Sequence, residues 1–557
     1  MVRLLRRGPA LARSVLALAL ALGTAAPALA QTSPQPRLVV LVAVDQLSSD
    51  LFEEYRPLFG KGMRTIQSGV VFPSAYQGHA ATETCPGHAT MLTGARPARS
   101  GIIANFWVDP KLPRADKNVY CAEDPTVPGS ASGAGKFRLS PQFLRVPTLG
   151  ERMKAVDPRS RSVIVSGKDR AVVMLGGRSI DQGWFWGNGA FETLPGRAGP
   201  APSAVQRASL AAAKVVAAGN PADLPDLCRA RVAPLKVGDN MIGVPRPRAP
   251  GDLPGYRNTT LFDASVTDLA IGLLDEMKLG RGAATDLLAV SLSATDHIGH
   301  VFGTQGPEMC AQMLALDANI GRLVAALDAT RVPYMLVLTS DHGGLDTPER
   351  LVEHGIRDAA RVDPELTVDA VGKAVATELE LPGPVLYGRV TIYGDIYAAP
   401  TLSPADRARV LAAARARYLA HPQVQAVFTA DELRAMPMPG RNVEEWTLAE
   451  RFRASFDPDR SGDLVVALKP HVMPIPRPRL GITGHGSPWN YDRRVPLIVY
   501  APGIKGFEQP LPVETVDILP TIASRIGLAV PGTEIDGRCL DLDAGATDSC
   551  AAEPARR

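Results

Sequence analysis

The stretch Leu38-Val39-Val40-Leu41-Val42-Ala43-Val44-Asp45 decides the fold, because seven apolar residues run directly into a carboxylate. An apolar run of this length without polar alternation is typical of a strand buried on both faces of a parallel sheet. Ligands of such sheets bind beyond the carboxyl ends of the strands. Asp45 therefore marks the edge of the sheet at which we expect a functional site.

The pattern of buried strands continues along the chain. Apolar runs predict further strands at 162–165, 287–292, 334–338 and 496–500. Helical periodicity predicts helices at 204–217, 309–327, 405–419 and 515–526. Strands that alternate with helices indicate an α/β fold, and we predict a three-layer α/β/α sandwich with a mostly parallel central sheet. Two stretches rich in Pro, Gly and charge, around 97–160 and 345–480, are interpreted as insertions that cap the sheet of a single domain spanning 31–557.

The N-terminus has the pattern of a secretory signal peptide. Four arginines precede the apolar run 16–22, and Ala28-Leu29-Ala30 fits the small-residue rule for cleavage. The run is shorter than the ~20 residues that span a bilayer, which disfavours a membrane anchor. We expect 1–30 to be removed, leaving a mature chain without a membrane span in a periplasmic or secreted location. The Arg6-Arg7 pair leaves twin-arginine export open beside the Sec route.

The net charge argues against a nucleic-acid binder. The whole chain carries a formal charge of +3, but the predicted signal holds four arginines and no acid, so the mature chain has 56 Lys and Arg against 57 Asp and Glu. A protein that binds nucleic acid electrostatically would show a basic surplus. We expect no nucleic-acid partner and a monomeric chain.

The six cysteines form an even set in a chain that we expect to be exported, so disulfides are predicted. None of the cysteines has CxxC spacing, which disfavours thiol redox catalysis. Cys539 and Cys550 are close in sequence and can close a short C-terminal loop, and this is the one pair that we predict. The other pairings stay open.

Three carboxylates and three imidazoles form a candidate metal site: Asp45, Asp296, Asp341, His300, His342 and His485. The acids follow predicted strands, and the Asp296-x-x-x-His300 spacing brings two ligands to one face of a helix. Mixed oxygen and nitrogen ligands suit Zn²⁺ better than Mg²⁺ or Ca²⁺, which prefer oxygen alone. An acid at a strand end can instead cap the following helix. Carboxylates crowded at one edge would repel one another without a cation, so we favour a metal site.

The segment Thr82-Glu83-Thr84-Cys85-Pro86-Gly87-His88 is the second feature with chemical meaning. Proline is tolerated in a first helical turn, and 86–93 is predicted to be a short helix with Thr84 as its N-cap. A helix N-terminus also offers backbone N–H groups and a positive dipole end to a phosphate. A threonine hydroxyl is a weak nucleophile unless a metal holds it as the alkoxide. Thr84 is therefore either a cap alone or, beside the metal ligands, a nucleophile toward phosphorus.

In this order the motifs resemble the alkaline phosphatase superfamily: Asp45, Thr84 in Thr-Cys-Pro-Gly-His, Asn105, Asp296-x-x-x-His300, Asp341-His342-Gly343-Gly344 and His485-Gly486. Within it, the chain is most similar to the single-chain alkaline phosphatases with a threonine nucleophile, which are related to type I phosphodiesterase/nucleotide pyrophosphatases. The similarity runs from about Leu38 to Cys539. Sulfatases need Cys or Ser followed by x-Pro-x-Arg, whereas Cys85 is followed directly by Pro86, so sulfate ester hydrolysis is disfavoured.

The resemblance implies a role for each of these residues. One zinc ion would be bound by Asp296, His300 and His485. The other zinc ion would be bound by Asp45, Asp341, His342 and the Thr84 oxygen. The substrate phosphate would be bound by Asn105, Lys168 and Arg170, of which the last two match a pair typical of phosphomonoesterases. Two cations favour the dianion of a monoester over a singly charged diester, although Lys168 and Arg170 could also belong to a solvated loop.

The resemblance thus implies an exported alkaline phosphatase with two Zn²⁺ ions per chain, which hydrolyses small phosphate monoesters through a covalent phosphothreonine. A phosphodiesterase or nucleotide pyrophosphatase on the same two-metal site is the alternative among enzymes. A noncatalytic periplasmic protein that binds metal or phosphate is the alternative of another class. Such a binding protein would have no need of a nucleophile, so the presence of Thr84 in the Thr-Cys-Pro-Gly-His motif argues against it.

Overall fold

The computed structural model describes residues 35–114, 116–127, 138–196, 200–389, 394–545 and 548–550, and the predicted signal segment 1–30 lies outside them. The strands among these residues are β1 Leu38–Val44, β2 Val70–Tyr76, β3 Phe106–Val108, β4 Asn118–Tyr120, β5 Ser162–Ser166, β6 Gln182–Trp186, β7 Phe191–Thr193, β8 Leu235–Val237, β9 Asn240–Ile242, β10 Asp286–Leu292, β11 Tyr334–Thr339, β12 Ala360–Arg361, β13 Leu386–Gly388, β14 Gly394–Ala398, β15 Val424–Thr429, β16 Leu464–Leu468, β17 Val472–Met473, β18 Arg494–Tyr500, β19 Phe507–Glu508 and β20 Val513–Glu514.

The α-helices are α1 Ser49–Tyr55, α2 Gly62–Ile66, α3 Thr84–Thr93, α4 Pro97–Ser100, α5 Leu149–Val156, α6 Asp169–Gly176, α7 Ser203–Ala218, α8 Asp226–Arg229, α9 Leu253–Tyr256, α10 Leu261–Glu276, α11 Ala294–Phe302, α12 Pro307–Thr330, α13 Pro348–Glu353, α14 Val368–Glu378, α15 Pro404–Leu419, α16 Ala430–Ala435, α17 Leu448–Ser455, α18 Asn490–Arg493 and α19 Ile518–Arg525. Single 3₁₀ turns lie at Arg56–Leu58, Pro364–Leu366, Val443–Glu445, Pro478–Leu480, Thr515–Asp517 and Gly532–Glu534.

A ten-stranded sheet, counted over the described ranges, forms the centre of the fold in the order β19-β2-β18-β11-β1-β10-β5-β6-β7, with β20 paired to β2. The five strands β11, β1, β10, β5 and β6 run parallel to one another. Strand β18 runs antiparallel to both β11 and β2, and β7 runs antiparallel to β6. The predicted α/β fold is confirmed, and the sheet is mixed beyond its parallel centre.

Strand β1 shows why the fold has three layers. Every residue of β1 is buried, and successive side chains of a strand point to opposite faces. Val40 and Val42 belong to an apolar cluster with residues of α10 and α12, whereas Val39 and Leu41 belong to a cluster with residues of α3 and α19. Helices therefore cover both faces of the sheet, and this double burial requires the unbroken apolar sequence of β1.

Helix α12 is long and apolar enough to cross a membrane by length and composition alone. In this fold, however, 56% of its apolar window is buried inside the protein. Met313, Leu316 and Ile320 of the helix are fully buried in the same apolar cluster as Val40 of β1. Helix α12 thus has the environment of a core helix.

The register of the parallel strands places their carboxyl ends side by side. Val44 of β1 lies opposite Leu292 of β10, and Ala43 of β1 lies opposite Thr339 of β11. The backbone N–H of Asp45 extends this pairing by donating to the carbonyl oxygen of Leu292 at 2.9 Å. Side chains that follow these three strands therefore meet at one edge of the sheet.

The two segments that we interpreted as insertions contain short strands of their own. Residues 345–480 form an antiparallel sheet in the order β13-β14-β16-β15, with an apolar core that includes Val371, Val410 and Val466. The β3–β4 hairpin lies within the earlier segment. An ion pair between Arg145 and Asp457, with 2.6 Å between nitrogen and oxygen, joins the two segments.

Three disulfides join all six cysteines: Cys85–Cys121, Cys228–Cys310 and Cys539–Cys550. The predicted C-terminal pair is confirmed. The first two pairs span 36 and 82 residues of sequence, so only the folded chain brings their partners together. Cys85 directly follows Thr84, and its disulfide therefore ties the start of α3 to the end of β4.

Candidate active site

Three carboxylates converge at the edge of the sheet where β1, β10 and β11 end. Asp45 follows β1 directly, Asp296 lies in the first turn of α11, and Asp341 comes two residues after β11. All three side chains are buried. Asp341 Oδ1 accepts hydrogen bonds from the backbone N–H groups of Gln46 and His342 at 3.1 and 3.0 Å. The acids that follow the predicted strands are thus brought to one place.

Backbone carbonyl groups hold three histidines in one tautomer. In each ring Nδ1 lies at hydrogen-bonding distance from a carbonyl oxygen, the pairs being His300 with Thr483 at 2.9 Å, His342 with Gly343 at 2.9 Å and His485 with Thr82 at 2.8 Å. Because a carbonyl oxygen only accepts, Nδ1 carries the proton and Nε2 of the neutral ring presents a lone pair. Outer hydrogen bonds of this kind are usual for metal-binding histidines.

The Nε2 atoms of these histidines face carboxylate oxygens. The distances are 3.2 Å from His300 to Asp296, 3.4 Å from His485 to Asp296, and 3.4 Å from His342 to both Asp45 and Asp341. Two lone pairs at this distance repel unless a metal ion or a proton lies between them. Although burial opposes it, the Asp296 carboxylate raises the pKa of His485 when no metal is bound. The buried Oδ1 atoms of Asp45 and Asp296 accept no hydrogen bond from the residues that the structure describes. The donor set therefore fits metal ions.

The ligand atoms form two compact groups. One group is Asp296, His300 and His485, and the other is Asp45, Asp296 and His342, with the ligand atoms of each group within 4.8 Å of one another. The first group is the set implied for one zinc ion. The second group contains Asp296 in place of the expected Asp341. Asp296 therefore belongs to both groups.

Buried charge dominates the electrostatics of this site. Burial, together with the carboxylates of Asp296 and Asp341, raises the pKa of Asp45 well above its usual value. Burial lowers the pKa of His342 to about 3, so the ring is neutral, as metal binding requires. Although burial opposes it, the carboxylates of Asp296 and Asp45 raise the pKa of Lys168, which stays charged.

Thr84 is the first residue of helix α3, and Glu83 takes the N-cap position with an extended backbone. The prediction that Thr84 caps a helix over 86–93 is therefore wrong: the helix begins two residues earlier than predicted, and its N-cap is one residue before Thr84. The Thr84 hydroxyl lies 3.3 Å from Arg170 Nη2 and 3.5 Å from Lys168 Nζ. Thr84 thus stands at the N-terminus of a helix with two cations at its oxygen.

Lys168 and Arg170 come at the junction of β5 and α6. The Lys168 side chain is buried, and its Nζ lies 2.6 Å from Oδ2 of both Asp45 and Asp296. A solvated loop therefore does not describe this pair. Lys168 was expected at the substrate phosphate, but its Nζ lies against the carboxylates of the candidate metal ligands Asp45 and Asp296. Arg170 Nη2 instead contacts the Thr84 hydroxyl.

Asn105 lies against the start of α3. Its Oδ1 accepts a hydrogen bond from the backbone N–H of Cys85 at 2.7 Å, and its own backbone N–H donates to Glu83 Oε2 at 2.6 Å. Because Oδ1 faces an N–H group, the amide NH₂ of Asn105 is left as the donating end. The structure thus brings Asn105 next to Cys85, the residue after Thr84.

His88 is a residue that the sequence reasoning left without a role. Its Nδ1 lies 2.9 Å from the Thr84 carbonyl oxygen and 3.1 Å from Asp341 Oδ2, and its Nε2 lies 2.9 Å from Ser291 Oγ. The preceding Gly87 permits this approach, since a Cβ there would lie 2.1 Å from the Asp341 carbonyl oxygen. His88 comes four residues after Thr84 on the same helix, and this spacing could have predicted that both residues face the active site.

Comparisons with known proteins agree with this geometry. Residues 39–488 match the family described as type I phosphodiesterase / nucleotide pyrophosphatase. The chain is 49% identical over 518 residues to a protein named alkaline phosphatase PhoD from Zymomonas mobilis subsp. mobilis, covering 92% of this chain and 89% of that protein. It is 45% identical over 557 residues to alkaline phosphatase PhoK from Sphingomonas sp, covering 96% and 99%.

The fold is also found in solved structures. Alkaline phosphatase PafA superposes with a TM-score of 0.77 at 22% identity, covering 91% of this chain and 99% of that chain. Murine ectonucleotide pyrophosphatase / phosphodiesterase 5 superposes with a TM-score of 0.52 at 13% identity, covering 90% and 97%. The predicted alkaline phosphatase-like fold and the prediction of a phosphatase are confirmed. The chain belongs to the type I phosphodiesterase / nucleotide pyrophosphatase family.

Proposed function

We propose that the chain is an exported, zinc-dependent alkaline phosphatase that hydrolyses small phosphate monoesters through a covalent phosphothreonine. The observation that carries the proposal is the position of the Thr84 hydroxyl, 3.3 Å from Arg170 Nη2 and 3.5 Å from Lys168 Nζ at the start of α3. Metal-ligand groups lie beside it. A nucleophile, an anion-binding helix end and cations thus share one small volume.

Two zinc ions would be held by the residues at the sheet edge: Asp296, His300 and His485 for one, and Asp45, Asp341 and His342 for the other. Mixed carboxylate and imidazole donors favour zinc over magnesium or calcium. Bound zinc supplies Lewis acidity, which lowers the pKa of a hydroxyl or water and stabilises a leaving oxygen. The lone pairs of Nε2 that face carboxylates support this assignment.

Thr84 carries out the first chemical step. Its hydroxyl proton passes to water, and the alkoxide oxygen attacks phosphorus in line with the ester oxygen. The Oγ1–P bond forms, the P–O bond to the alcohol breaks, and the leaving oxygen takes up a proton from water, so that no net charge is left in solution by this step. Water then attacks phosphorus from the side that the alcohol left, and the Oγ1–P bond breaks. One proton of that water returns to Thr84, and phosphate is released.

Lys168, Arg170 and Asn105 stabilise charge on the phosphoryl oxygens. In a loose transition state this charge is spread over the equatorial oxygens, so positioned donors and cations contribute much of the rate. A monoester dianion carries one more ionised oxygen than a diester. Cations at the nucleophile therefore favour monoesters. Lys168 also pairs with Asp45 and Asp296, whereas Arg170 Nη2 contacts the Thr84 hydroxyl.

Arg170→Ala is expected to lower kcat/KM for p-nitrophenyl phosphate by about 10–100-fold, because one charge-assisted hydrogen bond to the dianion is lost. The loss for bis-p-nitrophenyl phosphate is expected to stay below about fivefold. Steady-state kinetics with both esters measures the two effects. Arg178→Ala, two residues beyond the end of the same helix, is the matched control and is expected to change neither value.

A strong preference of the unmodified protein for the diester would overturn the monoester assignment in favour of a phosphodiesterase or nucleotide pyrophosphatase on the same site. Protein that binds zinc and releases no phosphate from any ester would instead support a noncatalytic binding protein. Both results are measured by the hydrolysis rates of the monoester and the diester, together with the zinc content of the purified protein.

Export is supported by the signal pattern of 1–30 and by the disulfides of the described chain, since disulfides persist in oxidising compartments. We expect the protein to be recovered from the periplasm or the medium with an N-terminus near Gln31. N-terminal sequencing of the fractionated protein tests this. An intact Met1 on active protein in the cytosol would contradict it.

A further inference from the structure

The side chain of Arg170 is contacted by a tyrosine and an acid that the chemistry above does not use. The Tyr120 hydroxyl donates to Asp169 Oδ1 at 2.7 Å. The same carboxylate oxygen accepts the backbone N–H of Arg170 at 2.7 Å. The Arg170 side chain in turn hydrogen-bonds to the Tyr120 hydroxyl. Tyrosine, aspartate and arginine thus form a closed chain of hydrogen bonds at the nucleophile.

We propose that Tyr120 and Asp169 are positioning residues that hold the Arg170 guanidinium at the Thr84 hydroxyl, and so determine how strongly the enzyme selects the dianion of a phosphate monoester. The proposal rests on the proposed function, because it assigns Arg170 to the substrate phosphate. It adds that the selectivity depends on two residues that do not themselves contact the substrate.

Arg170 needs such support because few other groups restrain its side chain. Its Nη2 donates to Thr84 Oγ1 at 3.3 Å, while its buried Nε has no acceptor among the described residues. An arginine side chain loses much rotamer freedom when it is held in one position. A donor that is already in place at the transition state avoids that cost during the reaction.

Tyr120 is itself held firmly. Its side chain is only 4% exposed, and its ring lies 4.9 Å from that of Phe106, its partner across the β3–β4 hairpin. Burial and the Asp169 carboxylate raise the pKa of Tyr120, so the phenol keeps its proton in alkaline solution. The hydroxyl can therefore go on donating to Asp169 under conditions in which a free tyrosine would ionise.

The same hairpin also carries the other phosphate donor. Asn105 directly precedes Phe106, and its carbonyl oxygen accepts the backbone N–H of Cys121 at 3.0 Å. Cys121 is bound to Cys85, the residue after Thr84. The hairpin therefore joins the nucleophile, the Asn105 donor and, through Tyr120, the Arg170 donor into one rigid assembly.

Tyr120→Phe tests the proposal, since it removes the hydroxyl and keeps the ring against Phe106. We expect kcat/KM for p-nitrophenyl phosphate to fall about tenfold and the inhibition constant of inorganic phosphate to rise about tenfold. Hydrolysis of bis-p-nitrophenyl phosphate is expected to change less than about twofold. In an Arg170→Ala background the same substitution is expected to have no further effect, because the group that it positions is gone.

Tyr334→Phe is the matched control. Its hydroxyl also donates to an aspartate, Asp328 Oδ1 at 2.8 Å, but Tyr334 begins β11 at the end of the strand opposite to Asp341. We expect it to alter stability without altering the ratio of monoester to diester activity. Should Tyr120→Phe fail to fold, Asp169→Asn provides the test, since it removes the carboxylate and keeps an oxygen that can accept from Tyr120.

An equal loss for both esters, or a loss that persists in the Arg170→Ala background, would overturn the positioning role. An unchanged monoester rate in Tyr120→Phe would also overturn the positioning role. If the unmodified protein prefers monoesters, this outcome leaves the proposed function unaffected. A preference of the unmodified protein for the diester would overturn the proposed function itself. The two failures are thus distinguished by the behaviour of the unmodified protein.

Discussion

Thr84→Ala is expected to lower the turnover of p-nitrophenyl phosphate by at least about 10⁴-fold, because the oxygen that would form the covalent intermediate is gone. Two zinc ions per chain are expected to remain, since the other expected ligands follow β1 and β11 or lie in α11 and in the loop that carries His485. Initial rates and metal analysis of the same preparation measure the two quantities. A ³¹P signal from phosphothreonine, trapped in the unmodified protein at low pH, is expected to be absent from the variant.

Thr84→Ser keeps a hydroxyl at the same position and is expected to retain measurable turnover. Thr93→Ala, at the other end of α3, is the matched control for the helix, because its hydroxyl bonds to backbone groups, the Ala89 carbonyl oxygen and the Ala95 N–H. Turnover of Thr84→Ala within about tenfold of the unmodified protein would exclude the nucleophile role. Loss of the metals together with activity would show that Thr84 acts as a ligand and would leave its attack on phosphorus without support.

Removal of metal by a chelator is expected to abolish turnover and to lower the melting temperature. Asp45, Asp296 and Asp341 are buried close together, and Lys168 Nζ lies 2.6 Å from the first two, so without zinc the crowded carboxylates disfavour ionisation of Asp45. A ligand at 1,000 times its Kd stabilises the native state by about 4 kcal/mol per site. Activity titration with Zn²⁺ and a thermal melt at each zinc concentration measure both effects.

Asp296→Asn and Asp286→Asn separate metal loss from general damage. Both acids are buried and flank β10, Asp286 as its first residue and Asp296 just beyond its end. Asp286 pairs with Arg161, so its substitution is expected to lower stability and to leave the zinc content unchanged. Asp296→Asn is expected to lower zinc content and activity together. Full activity after exhaustive chelation, or full recovery with Mg²⁺ alone, would contradict the zinc assignment.

The elements at the active site were predictable because each has a strong local signal. Strand β1 has the predicted bounds, and the predicted strand 334–338 is one residue shorter than β11. The carboxylates could be assigned to one edge because parallel strands end on the same side of a sheet. Helix α3 was placed two residues too late, since proline is favoured at the start of a helix and Pro86 was taken as its first residue, whereas it is the third.

Other features of the site had no local signal. His88 contacts Asp341, and Tyr120 contacts Asp169, across separations of 253 and 49 residues that no periodicity encodes. The antiparallel direction of β18 was equally undecided, because an apolar run reads the same in both directions. The Cys85–Cys121 pair depends on the position of a hairpin within an insertion.

The sequence by itself determined the layered α/β fold, the order of the motifs and the candidate ligand side chains, because these follow from local periodicity and from residue chemistry at strand ends. Only the tertiary structure decided which atoms face one another: histidine Nε2 atoms toward carboxylates, Lys168 between Asp45 and Asp296, and Arg170 at the Thr84 hydroxyl. The physical reason is that register, helix packing and disulfide pairing join residues far apart in the chain. Charge interactions within about 4 Å, which decide the chemistry, depend on those long-range contacts.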